Sequence, residues 1–213
     1  MTLMVKDDTV GIERLTLGPW GTNAYIVVCQ RTQESVVVDA PAEANKLVAS
    51  LHGTEPKYIL LTHNHGDHIG ALEELRGKLQ VPLAAHPLDA GFLSSPPEIE
   101  LNDGDKLAMG NLEMEVMHTP GHTLGSLCFR LGNYLLAGDT IFPGGPGRTR
   151  SPAAFQQIVK SITEKIFLLS DDTRVYSGHG EATVLEKEKE EFVTFSSRKH
   201  DPNLCGDVLW ISS

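Results

Sequence analysis

Three imidazoles and one carboxylate fall within the six positions from His63 to His68 of the stretch Thr62-His63-Asn64-His65-Gly66-Asp67-His68-Ile69-Gly70. So dense a run of polar groups is costly to place in a folded chain unless a metal ion or water satisfies it. Imidazole nitrogen and carboxylate oxygen are donors that suit zinc, and iron and manganese accept the same set. His63 and His65, two residues apart in an extended loop, can aim at one ion. Asp67 and His68 lie where the chain turns into the next element, so they aim elsewhere. One short stretch can therefore feed two ions.

The surrounding elements place this stretch at a strand end. The apolar run Tyr58-Ile59-Leu60-Leu61 before it reads as a buried strand. Ala71 to Leu79 after it carries leucines at helical spacing. Loops at the C-terminal ends of strands are where ligands usually bind in open α/β sheets. Four more polar residues follow predicted strands in the same way. His122 lies in the loop Thr119 to Ser126, after a strand Leu112 to His118. Asp139 closes a strand Tyr134 to Ala137, and His179 follows a strand Thr173 to Tyr176. Asp39, a weaker candidate, closes a strand Ser35 to Val38. Strand ends from one sheet edge can converge. Asp139 has two oxygens and could bridge two ions, with His122 and His179 completing one each.

The rest of the chain reads as strands followed by helices, twice over. Strands are expected at Val10 to Gly18, Thr22 to Gln30, Val81 to Ala85 and Leu127 to Leu131. Helices are expected at Ala42 to Leu51, Ser151 to Leu169 and Thr183 to Phe195. The Ser151-Pro152 pair is a helix start, a serine cap followed by proline in the first turn. Pro143 to Arg150 is a glycine-rich loop, and Val208-Leu209-Trp210-Ile211 reads as an edge strand. The order suggests an α/β (α+β) chain folded as one domain over 1–213, with two mixed sheets packed together and helices outside.

The bulk numbers narrow the function. A net charge of −10 over 213 residues argues against nucleic acid and anionic membranes as partners. Three widely spaced cysteines without a CxxC read as reduced thiols. Met1 to Asp8 has neither a long apolar run nor a cleavage signal, so a cytoplasmic protein without a membrane span is expected. His52, His86 and His200 lack metal-site context and read as surface or structural groups. His118 ends a strand beside the site and is a candidate, with Asp39, for holding the ligands from behind. Arg148 and Arg150, on the glycine-rich loop, are candidates for gripping a substrate carboxylate. Trp20 and Phe142 sit beside site loops and could line a pocket.

In this order, Thr62-His63-Asn64-His65-Gly66-Asp67-His68, Thr119-Pro120-Gly121-His122-Thr123-Leu124-Gly125-Ser126, Gly138-Asp139-Thr140 and Gly178-His179-Gly180 resemble the metallo-β-lactamase superfamily. The likeness is strongest to small glyoxalase II-like (hydroxyacylglutathione hydrolase-like) hydrolases and covers nearly the whole chain. It implies a four-layered αββα sandwich. It implies that His63, His65 and His122 hold a first metal, that Asp67, His68 and His179 hold a second, and that Asp139 bridges them. Two features depart from well-known branches. Only a helix and a short tail follow His179, where glyoxalase II carries a helical domain that grips glutathione. Asp139 stands where many dinuclear β-lactamases have cysteine, which argues against that activity.

The expected chemistry is hydrolysis of a small anionic thioester or ester. Two divalent ions, with zinc first and iron or manganese as alternatives, carry four positive charges against the two carboxylates Asp67 and Asp139. Such a centre stays net positive and can hold hydroxide near neutral pH. A bridging hydroxide would attack the carbonyl, and a thiolate would leave without needing a strong acid. Two other readings share the fold: a lactone or ester hydrolase, and a mononuclear-iron persulfide dioxygenase-like oxidoreductase. The resemblance keeps every second-metal ligand, which favours hydrolysis. A monomer or small homo-oligomer would suffice.

Overall fold

The computed structural model covers Met1–Ser213. Its first sheet contains seven strands in sequence order: β1 (Thr2–Lys6), β2 (Val10–Leu17), β3 (Thr22–Cys29), β4 (Glu34–Val38), β5 (Glu55–Leu60), β6 (Leu83–Ala85) and β7 (Ile99–Glu100). β1 to β4 form an antiparallel meander. From β4 onward the neighbours are parallel. Parallel neighbours need a crossover. Helix α1 (Ala44–Ser50) makes the one between β4 and β5. The short helix α2 (Gly66–Ile69) and helix α3 (Leu72–Leu79) make the next, and α4 (Pro87–Ala90) lies between β6 and β7.

The second sheet repeats the scheme. β8 (Lys106–Met109), β9 (Leu112–His118), β10 (Leu127–Leu131) and β11 (Tyr134–Gly138) form a meander. A small ribbon follows, β12 (Ile141–Phe142) with β13 (Gly145–Pro146). Helix α5 (Pro152–Glu164) then crosses to β14 (Arg174–Ser177), which lies parallel to β11. β15 (Thr183–Val184) edges the sheet and leads into α6 (Leu185–Ser196). Ser151 caps α5, its hydroxyl accepting from Ala154 N at 3.2 Å.

Side-chain alternation decides the layers. All eight residues of β3 are buried, because each face of the strand meets a different core. Tyr25, Val27 and Cys29 point between the sheets, against Val116, Leu127 and Phe129. Ala24, Ile26 and Val28 point outward, against Leu47 of α1 and Leu72 and Leu75 of α3. The outer face of the second sheet packs Cys128, Leu135, Ala137 and Val175 against Phe155, Ile158 and Ile162 of α5. The order of layers is therefore helix, sheet, sheet, helix, with the main core between the sheets. No helix is long and apolar enough to cross a membrane.

Three expectations need correction. The segment Val208 to Ile211 is not an edge strand. Val208 and Trp210 are buried and Leu209 and Ile211 exposed, so the alternation that suggested a strand is real. It comes from a tail anchored over the glycine-rich loop, where Trp210 N donates to Gly144 O at 2.7 Å and Thr149 and Gly206 exchange two backbone bonds. The helix expected to reach Leu169 ends at Glu164, and a 3-10 turn, Ile166–Leu168, follows. Strands β1 and β8 also lie where the sequence pattern signalled none.

Candidate metal centre

Five loops meet at the C-terminal ends of β4, β5, β9, β11 and β14, which carry Asp39, the His63–His68 stretch, His122, Asp139 and His179 respectively. Three groups of donor atoms come together there: His63, His65 and His122; His63, His68 and Asp139; Asp67, His68 and His179. The structure thus gathers all seven residues expected to hold metal. Four ligands around an ion with bonds of about 2.1 Å would lie about 3.4 Å from one another. His65 Nδ1 and His122 Nε2 are 2.9 Å apart. His122 Nε2 and Asp139 Oδ2 are separated by 3.4 Å, as are His68 Nε2 and Asp139 Oδ1. His179 Nε2 lies 3.1 Å from Asp67 Oδ2, 3.4 Å from His68 Nε2 and 3.7 Å from Asp139 Oδ2. Asp139 thus stands between the two sides, its Oδ2 near both His122 and His179 and its Oδ1 near His68, where a carboxylate can bridge.

Hydrogen bonds behind the rings aim them. Thr62 Oγ1 donates to Asp39 Oδ2 at 2.7 Å, so its lone pair accepts from His63 Nδ1 at 3.0 Å. That assigns the lone pair of His63 to Nε2. This nitrogen is buried without a hydrogen-bond partner, as is Asp139 Oδ1. Buried polar atoms are nearly always paired, so two orphans at one point fit a site for a cation. His122 Nδ1 donates to Arg148 O at 2.8 Å and leaves Nε2 facing the centre. His68 Nδ1 meets Asp39 Oδ2 at 2.7 Å. Gly178 closes the cradle from below. A Cβ there would stand 2.1 Å from Asp139 Oδ1 and 2.7 Å from His68 Cε1, so only glycine lets the strand end pass. The donor set and its supports fit a pair of divalent metal ions.

The charges divide unevenly. Burial holds the His63 ring well below the usual imidazole range, and the neighbouring His68 adds to this. Burial and His122 lower His65 too. Burial alone would also lower His68, but Asp39 and Asp139 outweigh it and raise that ring to about 10. Burial opposes ionisation of Asp139. The surrounding His68, His63 and His122 overcome this and hold its carboxyl well below the usual range.

Asp39 therefore supports the ligands as expected. It does so with φ of +63°, a left-handed conformation that aspartate tolerates better than most residues. His118 touches none of the seven donors. Its Nε2 bonds Leu124 O at 2.9 Å and its ring stacks on His86 at 3.9 Å, so it braces the far side of the His122 loop. Sequence reasoning missed Asp89. This buried carboxylate accepts from Asn64 N, Thr123 Oγ1 and Gly125 N at 3.0, 2.8 and 2.8 Å, tying the His65 loop to the His122 loop. It sits in a four-residue helix with no motif around it, so no local signal marks it.

A cleft of about 1280 Å³ opens over the centre, with Arg148, Arg150 and Trp20 among its walls. Both arginines are exposed, and Arg148 Nε lies 3.7 Å from Asp207 Oδ2. The tail adds Cys205, Gly206 and Asp207 beside the glycine-rich loop, to which the Thr149–Gly206 backbone bonds tie it. Phe142 lies against His179, with ring centroids 6.4 Å apart.

Comparison with known proteins agrees with this geometry. The model of the metallo-β-lactamase superfamily matches residues 17–179. YqgX of Bacillus subtilis, a probable metallo-hydrolase, is 32% identical over 200 residues, covering 84% of this chain and 94% of its own. A hydroxyacylglutathione hydrolase of Rhodopseudomonas palustris is 36% identical over 159 residues, covering 73% of this chain and 61% of the relative. Among solved structures, the B3 metallo-β-lactamase BLEG-1 aligns with a TM-score of 0.77 at 30% identity, covering 84% of this chain and 96% of that one. TTHA1623, solved in a di-iron-bound form, aligns at 0.73 and 33% identity, covering 83% and 96%. With the ligand loops, the two mixed sheets and the matched span all in agreement, the chain belongs to the metallo-β-lactamase superfamily, and a metal-dependent hydrolase is the class that its family and donor set support.

Proposed function

We propose that this chain hydrolyses a small anionic thioester at a dinuclear metal centre. One observation carries the reading: two donor groups, His63–His65–His122 and Asp67–His68–His179, meet on either side of Asp139, whose carboxylate approaches ligands of both. Two divalent ions, zinc by preference, would supply an activated water and polarise the scissile carbonyl. Asp67 and Asp139 set the charge of the centre, leaving it net positive. Asp39, Thr62 and the Arg148 carbonyl hold the imidazoles in the tautomers that present lone pairs. An amide nitrogen must be protonated to leave; a thiolate need not be. Among the cleft walls, the only carboxyl beyond the ligands is that of Asp207, exposed and paired with Arg148, so no buried general acid stands ready. This favours a thioester over an amide such as a β-lactam. Arg148 and Arg150 would meet a carboxylate on the substrate. The relative named for hydroxyacylglutathione hydrolysis supports the same bond type. A cytoplasmic location and independence from nucleic acid go with this reading, since a net charge of −10 repels phosphate backbones.

The test is a panel of an acyl-thiol thioester, a lactone, a phosphodiester and a β-lactam, assayed with quantified metal. Thioester turnover should lead the panel, vanish on chelation and return with zinc. Turnover that survives metal removal, or a β-lactam at the head of the panel, would overturn the reading. One iron per chain with dioxygen uptake on a persulfide would instead establish the oxidoreductase.

A further inference from the structure

β3 opens with Thr22 and Asn23, each 1% exposed. A buried asparagine amide needs several partners, and this one spends its donors around a single ligand. Asn23 Nδ2 donates to Ser177 O and to Gly180 O, both at 3.0 Å, and Asn23 N donates to Gly178 O at 2.7 Å. Those three carbonyls bracket His179. Asn23 Oδ1 is itself fixed by Thr16 Oγ1 at 2.8 Å. Thr22 pairs with His179 in an isolated antiparallel bridge, and its hydroxyl donates to Asp67 Oδ2 at 3.2 Å. Two consecutive residues of the first sheet therefore grip one ligand from the second sheet and one from the α2 turn.

We propose that Thr22 and Asn23 are positioning residues that register Asp67 against His179 and so set the affinity of the Asp67–His68–His179 position without touching its ion. His179 depends on such a grip. It is 29% exposed and stands between Gly178 and Gly180, the latter at φ of +69°, so its own backbone constrains it little. His63, His65 and His122 receive no hydrogen bond from either residue; Thr62, Arg148 and Asp89 orient those loops. The effect should therefore fall on one ion.

The inference rests on the two-ion reading. Metal-free wild type, Thr22→Val and Asn23→Ala are titrated with zinc against a chromophoric chelator, with thermal unfolding of each metal-free form alongside. Wild type should take two ions. Asn23→Ala should keep one of the two affinities and lower the other roughly 10–100-fold, the usual cost of losing an outer support. Thr22→Val, nearly isosteric and without its hydroxyl, should show the same selectivity with a smaller loss, and it decides the matter if Asn23→Ala does not fold. Wild-type affinity for both ions in the folded variants, or an equal weakening of both, would overturn the proposal. A wild type that binds one ion would remove the two-ion reading itself, whatever the variants do.

Discussion

His63, His65 and His122 meet as three imidazoles, whereas Asp67, His68 and His179 meet as two imidazoles and a carboxylate. In the first group His63 donates to Thr62, its neighbour in the chain, and His122 donates to the Arg148 carbonyl on the glycine-rich loop. The second is held from a distance, by Asp39 on His68 and by the start of β3 on Asp67 and His179. Their protonation differs as well. His63 and His65 are pushed down by burial and stand neutral at pH 7, ready to ligate. His68 is raised to about 10 and carries a proton that an ion must displace. Burying three neutral rings costs less than burying a charged mixture, which explains why the mixed group needs carboxylate and cross-sheet partners.

The largest effect should come from erasing the comparison at its hinge. Asp139→Asn removes the charge shared by both groups. It should lower metal content and cut thioester kcat/KM by more than about a hundredfold, beyond the range for an outer support; a variant with two ions and near-normal turnover would contradict the bridging role. Asp39→Asn strikes the second group directly, through His68, and the first only at one remove, through Thr62. Asparagine tolerates the left-handed backbone there, so the fold should survive with a loss of about 1–3 kcal/mol from the altered buried hydrogen bonds. Zinc titration should show the ion at His68 weakened roughly 10–100-fold and the other weakened less.

A third effect is pH dependence. The folded pKa of His68, about 10, lies above its ordinary 6.5. Its contribution to the metal-free fold is therefore full below pH 6.5 and is lost as pH rises through about 10. His63 acts in the opposite sense: lowered in the fold, it favours unfolding as pH falls below its ordinary value. Calorimetry in buffers of different ionisation enthalpy should find about one proton released at pH 8 on filling the His68 position and none from His63 or His65. Equal release at both steps would dissolve the contrast.

The smallest effect lies outside both groups. Arg148→Ala should raise KM for an anionic thioester by about fivefold with kcat little changed, the size expected of an exposed charge contact. Arg150→Ala should do less, and an unchanged KM in both would remove the arginines from substrate binding.

What was legible in the sequence follows the same division. The contiguous stretch His63 to His68, and single ligands placed just after apolar strands, announce themselves because strand ends are local features. The sheets were legible because β3, β4, β10 and β11 are nearly continuous apolar runs bounded by turn residues. The supports were harder to read. Asp39 carried a weak signal as a strand-end carboxylate. Asp89 and the amide of Asn23 carried none, since the site loops they hold lie 25 or more residues away in the chain. The tail misled for a physical reason: Val208 and Trp210 alternate with exposed neighbours as strand residues do, yet they are buried without a partner strand.

The central claim is a two-ion hydrolase whose halves fill separately. It is tested most directly by adding zinc in measured equivalents to metal-free protein while following hydrolysis of an anionic thioester. Turnover should stay low through the first equivalent, rise with the second and level off at two per chain. A plateau at one equivalent, or no turnover at two, would contradict it.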